Sequence, residues 1–140
     1  MPWFRYKRRG LHDLPVEKFR LGCQGKWSTA IEFLIDSGAA VSFIPRKYVR
    51  WVPGLDERAV QATGLVDANG RAMTGVPVDF KIELVRGPGE LAVEERIWVS
   101  NSGTWPLLGQ SWFELMGVNF QNFPGTRRFA IYPPPSHALF

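Results

Sequence analysis

The sequence predicts a mostly β, single-domain protein of the barrel type with one short helix. Three observations support this prediction: many short apolar runs, Gly and Pro turns between them, and one helix signal near the C-terminus. A chain of 140 residues with an apolar fraction of 45% can form one hydrophobic core and has an ordinary globular composition. No apolar stretch approaches the roughly 20 residues that a membrane helix needs, so we expect no membrane association.

Apolar residues bounded by turn signals mark the individual strands. Pro45 is expected to open a helical turn through Val49, because Pro is favoured at the first helical position. Asn69-Gly70, a strong hairpin signal, lies between two of the strands. We expect strands at residues 16–23, 27–35, 42–44, 59–66, 73–85, 91–99, 118–120 and 128–132.

One helix of about two turns is predicted near residue 111. Ser111 and Glu114 have the spacing of a capping box, in which the Ser hydroxyl accepts from first-turn N–H groups and the Glu side chain reaches back. Gly117 can then adopt the left-handed conformation that ends many helices. We therefore expect Ser111 to begin this helix and Gly117 to end it.

The chain ends are predicted to lie outside the core of the domain. We divide the sequence into a basic arm at residues 1–15, the domain at residues 16–132 and a Pro-rich tail at residues 133–140. Interleaved basic and aromatic residues in the arm could tether nucleic acid, whereas a solvated arm or edge strand is the simpler interpretation. We favour the latter and expect no nucleic-acid partner, because no nucleic-acid motif accompanies the cluster. The cluster consists of Trp3, Phe4, Arg5, Tyr6, Lys7, Arg8 and Arg9.

Cysteine and histidine usage narrows the possible chemistry. Cys23 is the only cysteine, so no intrachain disulfide is expected, and no secretory signal is recognisable at the N-terminus. We therefore expect a cytoplasmic protein. His12 and His137 lie at opposite ends of the chain, so no zinc-ligand spacing exists, and no nucleophile-elbow or phosphate-loop motif occurs. We expect no metal and no cofactor, which leaves a carboxylate as the candidate catalytic group.

Asp36 is the strongest candidate for such a carboxylate, because Asp36-Ser37-Gly38 directly follows the apolar run at residues 31–35. An Asp at the exit of a buried strand is costly unless it is hydrogen-bonded, paired or protonated. Peptide hydrolysis by carboxylates needs two of them, one to take a proton from water and one to polarise the carbonyl. The motif occurs once, so catalysis would require a second copy of the chain. Alternatively, Asp36 forms a turn by accepting backbone N–H groups.

Three segments together resemble the retropepsin-like aspartic proteases, the family of retroviral and retrotransposon proteases and their bacterial and cellular relatives. Residues 33–39 resemble the active-site strand and loop of that family. Residues 67–71 resemble the flap hairpin in its Ala-Asn-Gly form, and residues 106–113 resemble the apolar-apolar-Gly segment and C-terminal helix. The segments follow the family's order, and the resemblance covers about residues 16–120. It implies a retropepsin-like acid protease barrel from a bacterial or cellular member of the family.

The resemblance further implies a homodimeric aspartic endopeptidase that cleaves polypeptide substrates. Asp36 and its symmetry mate are expected to share one proton and to activate a water molecule. Ser37 is expected to bond across the dimer axis, and Gly38 to let the substrate backbone approach closely. These three residues are the catalytic positions that the resemblance implies.

Substrate-binding and supporting positions follow from the same resemblance. Residues 107–109 are expected to pack beneath the catalytic loop, and the flap to close over substrate as a lid. Met73 and Val76 are further candidates for an apolar lining. The substrate-binding positions are Ala39, Ala40, Val41, Ala68, Asn69, Gly70 and Arg71, and the supporting positions are Leu107, Leu108 and Gly109.

Two departures from the retroviral pattern concern the dimer. Many retroviral members have Asp at the position of Ala40 and Arg at the position of Gln110, and these residues form an ion pair; both are absent here. Their joint absence indicates the loss of one interaction, since a lone buried charge would be costly. The chain also continues beyond Phe120, where an additional hairpin could thicken a dimer interface or cap a barrel edge.

A second function class remains open, namely a retropepsin-fold module that binds or scaffolds other proteins without cleaving them. Ubiquitin-shuttle members of the family show that this fold can serve inside adaptor proteins. The presence of Asp36 and Ser37 favours the protease.

The residue after the Asp-Ser-Gly motif predicts the pH optimum. Pepsin-like relatives often have Ser or Thr there, whose hydroxyl can donate toward the catalytic carboxylate and lower its pKa. Ala39 offers no such donor, so we expect cleavage to be fastest at weakly acidic to near-neutral pH. The pH–rate profile measures this, and a maximum near pH ~3, where a donor-assisted dyad operates, contradicts it.

Overall fold

Six strands close into a β-barrel in the structure of this chain, a computed structural model that describes residues 3–56, 63–66, 72–86, 92–100 and 103–132. The order around the barrel is β4, β6, β11, β7, β10 and β9, and pairing between β4 and β9 closes it. The strands are β1 Trp3–Arg5, β2 Lys7–Arg9, β3 His12–Leu14, β4 Val16–Cys23, β5 Lys26–Trp27, β6 Ile31–Ile35, β7 Ser42–Pro45, β8 Thr63–Val66, β9 Ala72–Leu84, β10 Ala92–Ser100, β11 Leu107–Leu108, β12 Asn119–Phe123 and β13 Arg128–Tyr132.

Two strands extend the barrel, and two helical segments connect its parts. Strand β5 pairs antiparallel with β4, and β8 pairs antiparallel with β9. A 3-10 helix at Arg46–Trp51 follows β7, and helix α1 at Gln110–Met116 follows β11. The prediction of a mostly β barrel with one short α-helix is confirmed.

The barrel interior is filled by alternate residues of its strands. Strand β6 shows this pattern, since Ile31, Phe33 and Ile35 are buried while the residues between them are partly exposed. Phe19 of β4 packs edge-on against both Phe33 and Trp112, with ring centroids 5.5 Å apart in each pair. Helix α1 thus covers one end of the core through Trp112, which is fully buried.

A second, three-stranded sheet joins the two ends of the chain in the order β1, β13, β12. Phe4 of β1 stacks on Phe129 of β13 with ring centroids 5.1 Å apart, and Phe120 of β12 lies 5.8 Å from Phe129. Phe4 and Phe129 are buried and belong to the same apolar core as the barrel. The residues beyond Phe120 therefore form part of a hairpin, β12–β13, that packs on the barrel.

Three basic residues near the N-terminus, namely Lys7, Arg8 and Arg9, are in ion pairs. Lys7 Nζ lies 3.1 Å from the buried carboxylate of Glu17, and Arg9 Nε donates to Glu32 over 2.7 Å. Strand β2, which carries both cations, pairs with β3 as a hairpin. Part of the positive charge near the N-terminus is thus paired with acidic side chains. The division of the chain at residues 15 and 132 stays a prediction.

The strand expected at residues 27–35 is interrupted, and this part of the prediction is wrong. The chain leaves β5 after Trp27 and enters β6 at Ile31. Ser28, which lies between them, is buried; its hydroxyl accepts from Leu21 N–H over 2.9 Å and donates to the Thr29 carbonyl over 2.7 Å. These side-chain bonds replace ladder hydrogen bonds and break the strand.

The capping box predicted for α1 is also wrong. Gly109 is the N-cap, and no side chain makes a capping hydrogen bond. The N–H groups of Gln110 and Ser111 donate instead to the carbonyls of Ala39 and Ala40, so backbone oxygens satisfy the first turn. At the other end, Gly117 has φ 64° and ψ 31°, which confirms the predicted left-handed C-cap.

The remaining predicted elements agree with the structure within a few residues where they are described, while residues 59–62 of the strand expected at 59–66 and residue 91 of that expected at 91–99 lie outside the described residues. The strands at residues 16–23 and 128–132 are confirmed without change, whereas Pro45 is the N-cap of the 3-10 helix and not its first helical residue. The hairpin signal at residues 67–71 and the tail at residues 133–140 lie outside the described residues, although β8 and β9 on either side of the former pair as far as Val66 and Ala72. Within the described ranges, no helix has both the length and the apolar character to span a bilayer.

Phe129→Ala tests the junction between the terminal strands and the barrel. Its ring is fully buried between Phe4 and Phe120, so truncation leaves a cavity and should lower the free energy of unfolding by about 3–5 kcal/mol. Chemical denaturation measures this change. Leu11→Ala is the control, because Leu11 is 84% exposed and its truncation should change the free energy by less than about 0.5 kcal/mol. Equal effects of the two substitutions would contradict the packing described here.

Candidate active site

Strands β6 and β11 place Asp36 at the end of the barrel. Leu108 is fully buried and pairs in parallel with Ile35, the last residue of β6. The Asp36 N–H continues this ladder by donating to the Leu108 carbonyl over 2.9 Å. Asp36 is therefore the first residue beyond a buried strand, fixed at its backbone and partly exposed at its side chain.

The chain turns sharply after Asp36. The Gly38 N–H donates to Asp36 Oδ1 over 3.0 Å, and the Ala39 N–H donates to the Asp36 carbonyl over 3.1 Å. Among the described residues, Gly38 is the one donor to this carboxylate. The turn fixes the carboxylate at the loop surface, where Ser37 and Gly38 are exposed. It fits a catalytic aspartate, and it equally fits the alternative of an aspartate that forms a turn.

The first residues of helix α1 donate hydrogen bonds to the same loop. The backbone N–H of Gln110 donates to the Ala39 carbonyl over 2.8 Å, and that of Ser111 donates to the Ala40 carbonyl over 3.2 Å. The Gln110 side chain adds a third bond, from Nε2 to the Ser37 carbonyl over 2.7 Å. Gln110 thus contacts the loop through a neutral amide.

Gly109 is required by the closeness of the two chain segments. A Cβ at this position would lie 2.4 Å from the Val41 carbonyl oxygen and 2.8 Å from that of Ala39, both far inside contact distance. Its φ of −96° is open to any residue, so space and not conformation excludes a side chain. Leu107 pairs with Leu34 and Phe43, Leu108 accepts from the Asp36 N–H, and Gly109 lies against the loop itself. The supporting role of these three residues stays a prediction.

Some of the positions expected to bind substrate are described by the structure, and others lie outside the described residues. Ala39 and Val41 are half-buried, and Ala40 is exposed. Val76 on β9 packs against the hydrophobic core. The structure thus brings residues 36–41 together with residues 107–111. The flap positions Ala68, Asn69, Gly70 and Arg71 lie outside the described residues, as does the side chain of Met73.

A buried carboxylate beneath the loop was missed by the sequence-based prediction. Glu95 of β10 is only 2% exposed, and it accepts hydrogen bonds from the hydroxyls of Ser42, at 3.2 Å, and Ser111. Burial raises the pKa of the Glu95 carboxyl above its usual value of 4.5, and the two hydroxyls oppose this rise only in part. The signal was present in the strand alternation, since Glu95 shares the inward face of β10 with Ile97 and Val99.

Two clefts lined by residues outside the Asp36 loop occur in the part of the chain that the structure describes. No group of three or more potential metal ligands occurs among the described residues. One cleft of about 390 Å³ lies beside Tyr48, Trp51 and Trp105, and another of about 280 Å³ lies beside Cys23 and Trp27. Neither includes any residue from 36 to 41.

The fold is that of the retropepsin-like proteases. The EIAV protease, solved in complex with the inhibitor HBY-793, superposes with a TM-score of 0.50 at 16% sequence identity, over 77% of this chain and 92% of that chain. No protein-family model matches this chain, and no curated relative matches it. This likeness shows the barrel architecture.

Gly109→Ala tests the contact between helix α1 and the Asp36 loop. The added methyl collides with the carbonyl oxygens of Val41 and Ala39, which belong to backbone and must move as a segment. We expect the free energy of unfolding to fall by about 1–3 kcal/mol. Gly125→Ala is the matched control, since a Cβ there meets nothing within 4 Å. Thermal or chemical unfolding measures both, and an unchanged stability for Gly109→Ala would rule out the close approach.

Proposed function

We propose that this chain is an aspartic endopeptidase that acts as a homodimer on polypeptide substrates. The observation that carries the proposal is the position of Asp36, whose carboxylate stands partly exposed at the end of a retropepsin-like barrel strand. Its backbone is bonded to Leu108, and its loop is held by the start of helix α1. Such a site provides a rigidly placed carboxylate on an exposed loop.

The chemistry requires two such carboxylates. One Asp36, ionised, takes a proton from a water molecule, while the partner's Asp36, protonated, donates to the oxygen of the scissile carbonyl. The water oxygen bonds to the carbonyl carbon, and the resulting tetrahedral species collapses as the amine leaves with a proton from the dyad. Two carboxylates close enough to act on the same water molecule cannot both be ionised, so they share a single proton. No covalent intermediate with the protein forms.

The second subunit is proposed to pair along strand β12. In the sheet β1–β13–β12, β12 is an outer strand that pairs with β13 among the described residues. Helix α1, which holds the Asp36 loop, is followed by β12 in the chain, and the proposal sets the two-fold axis along this edge so that the two loops face each other. Ser37, exposed beside Asp36, is then the candidate for a hydroxyl contact across the axis.

The substrate groove is proposed to lie above the loop. Ala39, Ala40 and Val41 would form its floor, and Gly38 has no side chain to obstruct an extended peptide. The flap is assigned to residues 68–71, which would close over the peptide and exclude water. The small and apolar floor favours hydrophobic side chains at the cleavage site. A cytoplasmic location and the absence of nucleic-acid binding, of metal and of a cofactor stay predictions.

A second candidate function is a protein-binding module that does not cleave its partners. The bond from Gly38 N–H to Asp36 Oδ1 favours it to some extent, because this bond gives Asp36 a sufficient role as a turn former. In that case the groove would hold a peptide without hydrolysing it.

Asp36→Asn separates the two functions. The amide cannot take a proton from water, so we expect peptide cleavage to fall by at least about a hundredfold, with little change in stability. Incubation with a diverse peptide mixture at several pH values, read out by mass spectrometry, measures the loss. Asp79→Asn is the control, since Asp79 is an exposed residue of the outer surface that pairs with Arg96. Equal cleavage by wild type and Asp36→Asn would leave the binding module as the function.

Mixing the two proteins tests the dimer. If each site needs one Asp36 from each subunit, excess Asp36→Asn titrates wild-type subunits into inactive heterodimers, and activity falls with the square of the wild-type fraction. Activity proportional to the amount of wild type would contradict a shared site. The mixture has to be equilibrated long enough for subunits to exchange, which sedimentation of a size-tagged variant can establish.

A further inference from the structure

Glu95 is the one carboxylate in the described ranges that is buried without an ion-pair partner. Glu17 is equally buried but lies within 3.3 Å of both Lys7 and Arg86. Glu95 has only hydroxyl donors, from Ser42 on β7 and Ser111 on α1. A buried acid held in this way costs stability compared with a neutral side chain of the same shape.

The partners of Glu95 lead directly to the Asp36 loop. The Ser42 hydroxyl donates to Glu95 and at the same time accepts the Gly109 N–H over 3.0 Å. Ser111 donates its hydroxyl to Glu95 and its backbone N–H to the Ala40 carbonyl. Thus both hydroxyls that bind Glu95 belong to segments that touch the loop, one through Gly109 and one directly.

We infer that Glu95 is a positioning residue of the proposed active site. By hydrogen bonding to Ser42 and Ser111 it links β7 and the start of α1 to β10, and it thereby fixes the position and orientation of the Asp36 loop. Glu95 Oε1 accepts from both Ser42 and Ser111, and Oε2 accepts from Ser42 as well, so the carboxylate offers these hydroxyls more acceptor positions than the single oxygen of an amide. Glu95 does not touch the reacting atoms; it acts through Ser42, Ser111 and Gly109. The inference rests on the proposed function for its catalytic consequence, but its geometric part stands without it.

Among the described residues, the groups that bond to Glu95 or pair with it across the sheet are uncharged. Phe80 lies opposite on β9, and β7 and α1 present Ser42 and Ser111. The charged residues of the packed elements lie elsewhere: Asp79 pairs with Arg96 on the outer surface, Lys81 and Glu94 line an outer cleft, Glu114 is exposed, and Arg46, Lys47 and Arg50 belong to the 3-10 helix. Protonation of Glu95 therefore replaces an acceptor by a donor without disturbing an ion pair.

The sign of the stability effect follows from the raised pKa. A carboxyl whose pKa is higher in the folded state contributes stability that is fully present below its usual value of 4.5 and is lost as the pH rises through the raised value. Glu95→Gln is neutral at every pH, so it should be at least as stable as wild type at pH ~7 and should lose that advantage toward pH ~4.5. If Glu95 served only to stabilise the fold, Glu95→Gln would be less stable than wild type at pH ~7.

The test compares Glu95→Gln with Glu94→Gln in the full chain. Glu94 is the neighbouring exposed residue on the outer face of β10, so its substitution is a matched control. For Glu95→Gln at pH ~7 we expect kcat to fall between about tenfold and a hundredfold, as for a small misplacement of a catalytic loop, with KM within about twofold. Amide hydrogen exchange at Gly109, Gln110 and Ser111 should accelerate, while exchange in β4 and β6 stays as in wild type. Glu94→Gln should change none of these.

Hydrogen exchange decides the inference independently of cleavage. If the wild-type chain cleaves no peptide, the proposed function fails, and local acceleration at residues 109–111 still supports Glu95 as the residue that positions the loop. Unchanged exchange at these amides overturns the inference. Acceleration throughout the barrel, or a loss of stability at pH ~7 that accounts for the loss of kcat, overturns it as well, because Glu95 would then act on the fold as a whole.

Discussion

The close approach of Gly109 to the loop after Asp36 is the constraint on which the site depends. The segment before α1 and the loop after Asp36 are far apart in sequence but in contact here. The carbonyl oxygens of Val41 and Ala39 occupy the space that a side chain at Gly109 would need. Because of this closeness, the first N–H groups of α1 reach the carbonyls of Ala39 and Ala40. These backbone oxygens take the place of a side-chain cap. The loop is consequently held by backbone bonds, which few surface substitutions would weaken.

Residues with local signals were predictable from the sequence. The alternation in β4 and β6, the Asp-Ser-Gly motif at the end of β6 and the left-handed Gly117 each depend on neighbours within a few positions. Three motifs in the family's order then indicated the barrel. The break at Ser28 was missed because Ser28 bonds to Leu21, seven residues away, and nothing within the strand itself announces that contact.

Long-range contacts explain the other differences. Ser111 and Glu114 match a capping box in sequence, but the donors of this helix are satisfied by a loop some seventy residues earlier, so the side-chain cap is not needed. Glu95 occupies an inward position of β10 and could have been recognised from the alternation; its partners could not, since Ser42 and Ser111 meet it only in the closed barrel. The sequence therefore does not indicate which buried polar groups bond to one another.

The pairing of β1 with β13 has a consequence for how the protein is made. Phe4 of β1 finds its aromatic partner Phe129 only after more than a hundred intervening residues have been synthesised, so β1 stays unpaired during that time. Contacts between such distant residues form slowly, because a long loop has to close first. Until then the backbone edge of β1 and the Phe4 ring stay uncovered on the nascent chain, and an uncovered strand edge is open to pairing with other chains.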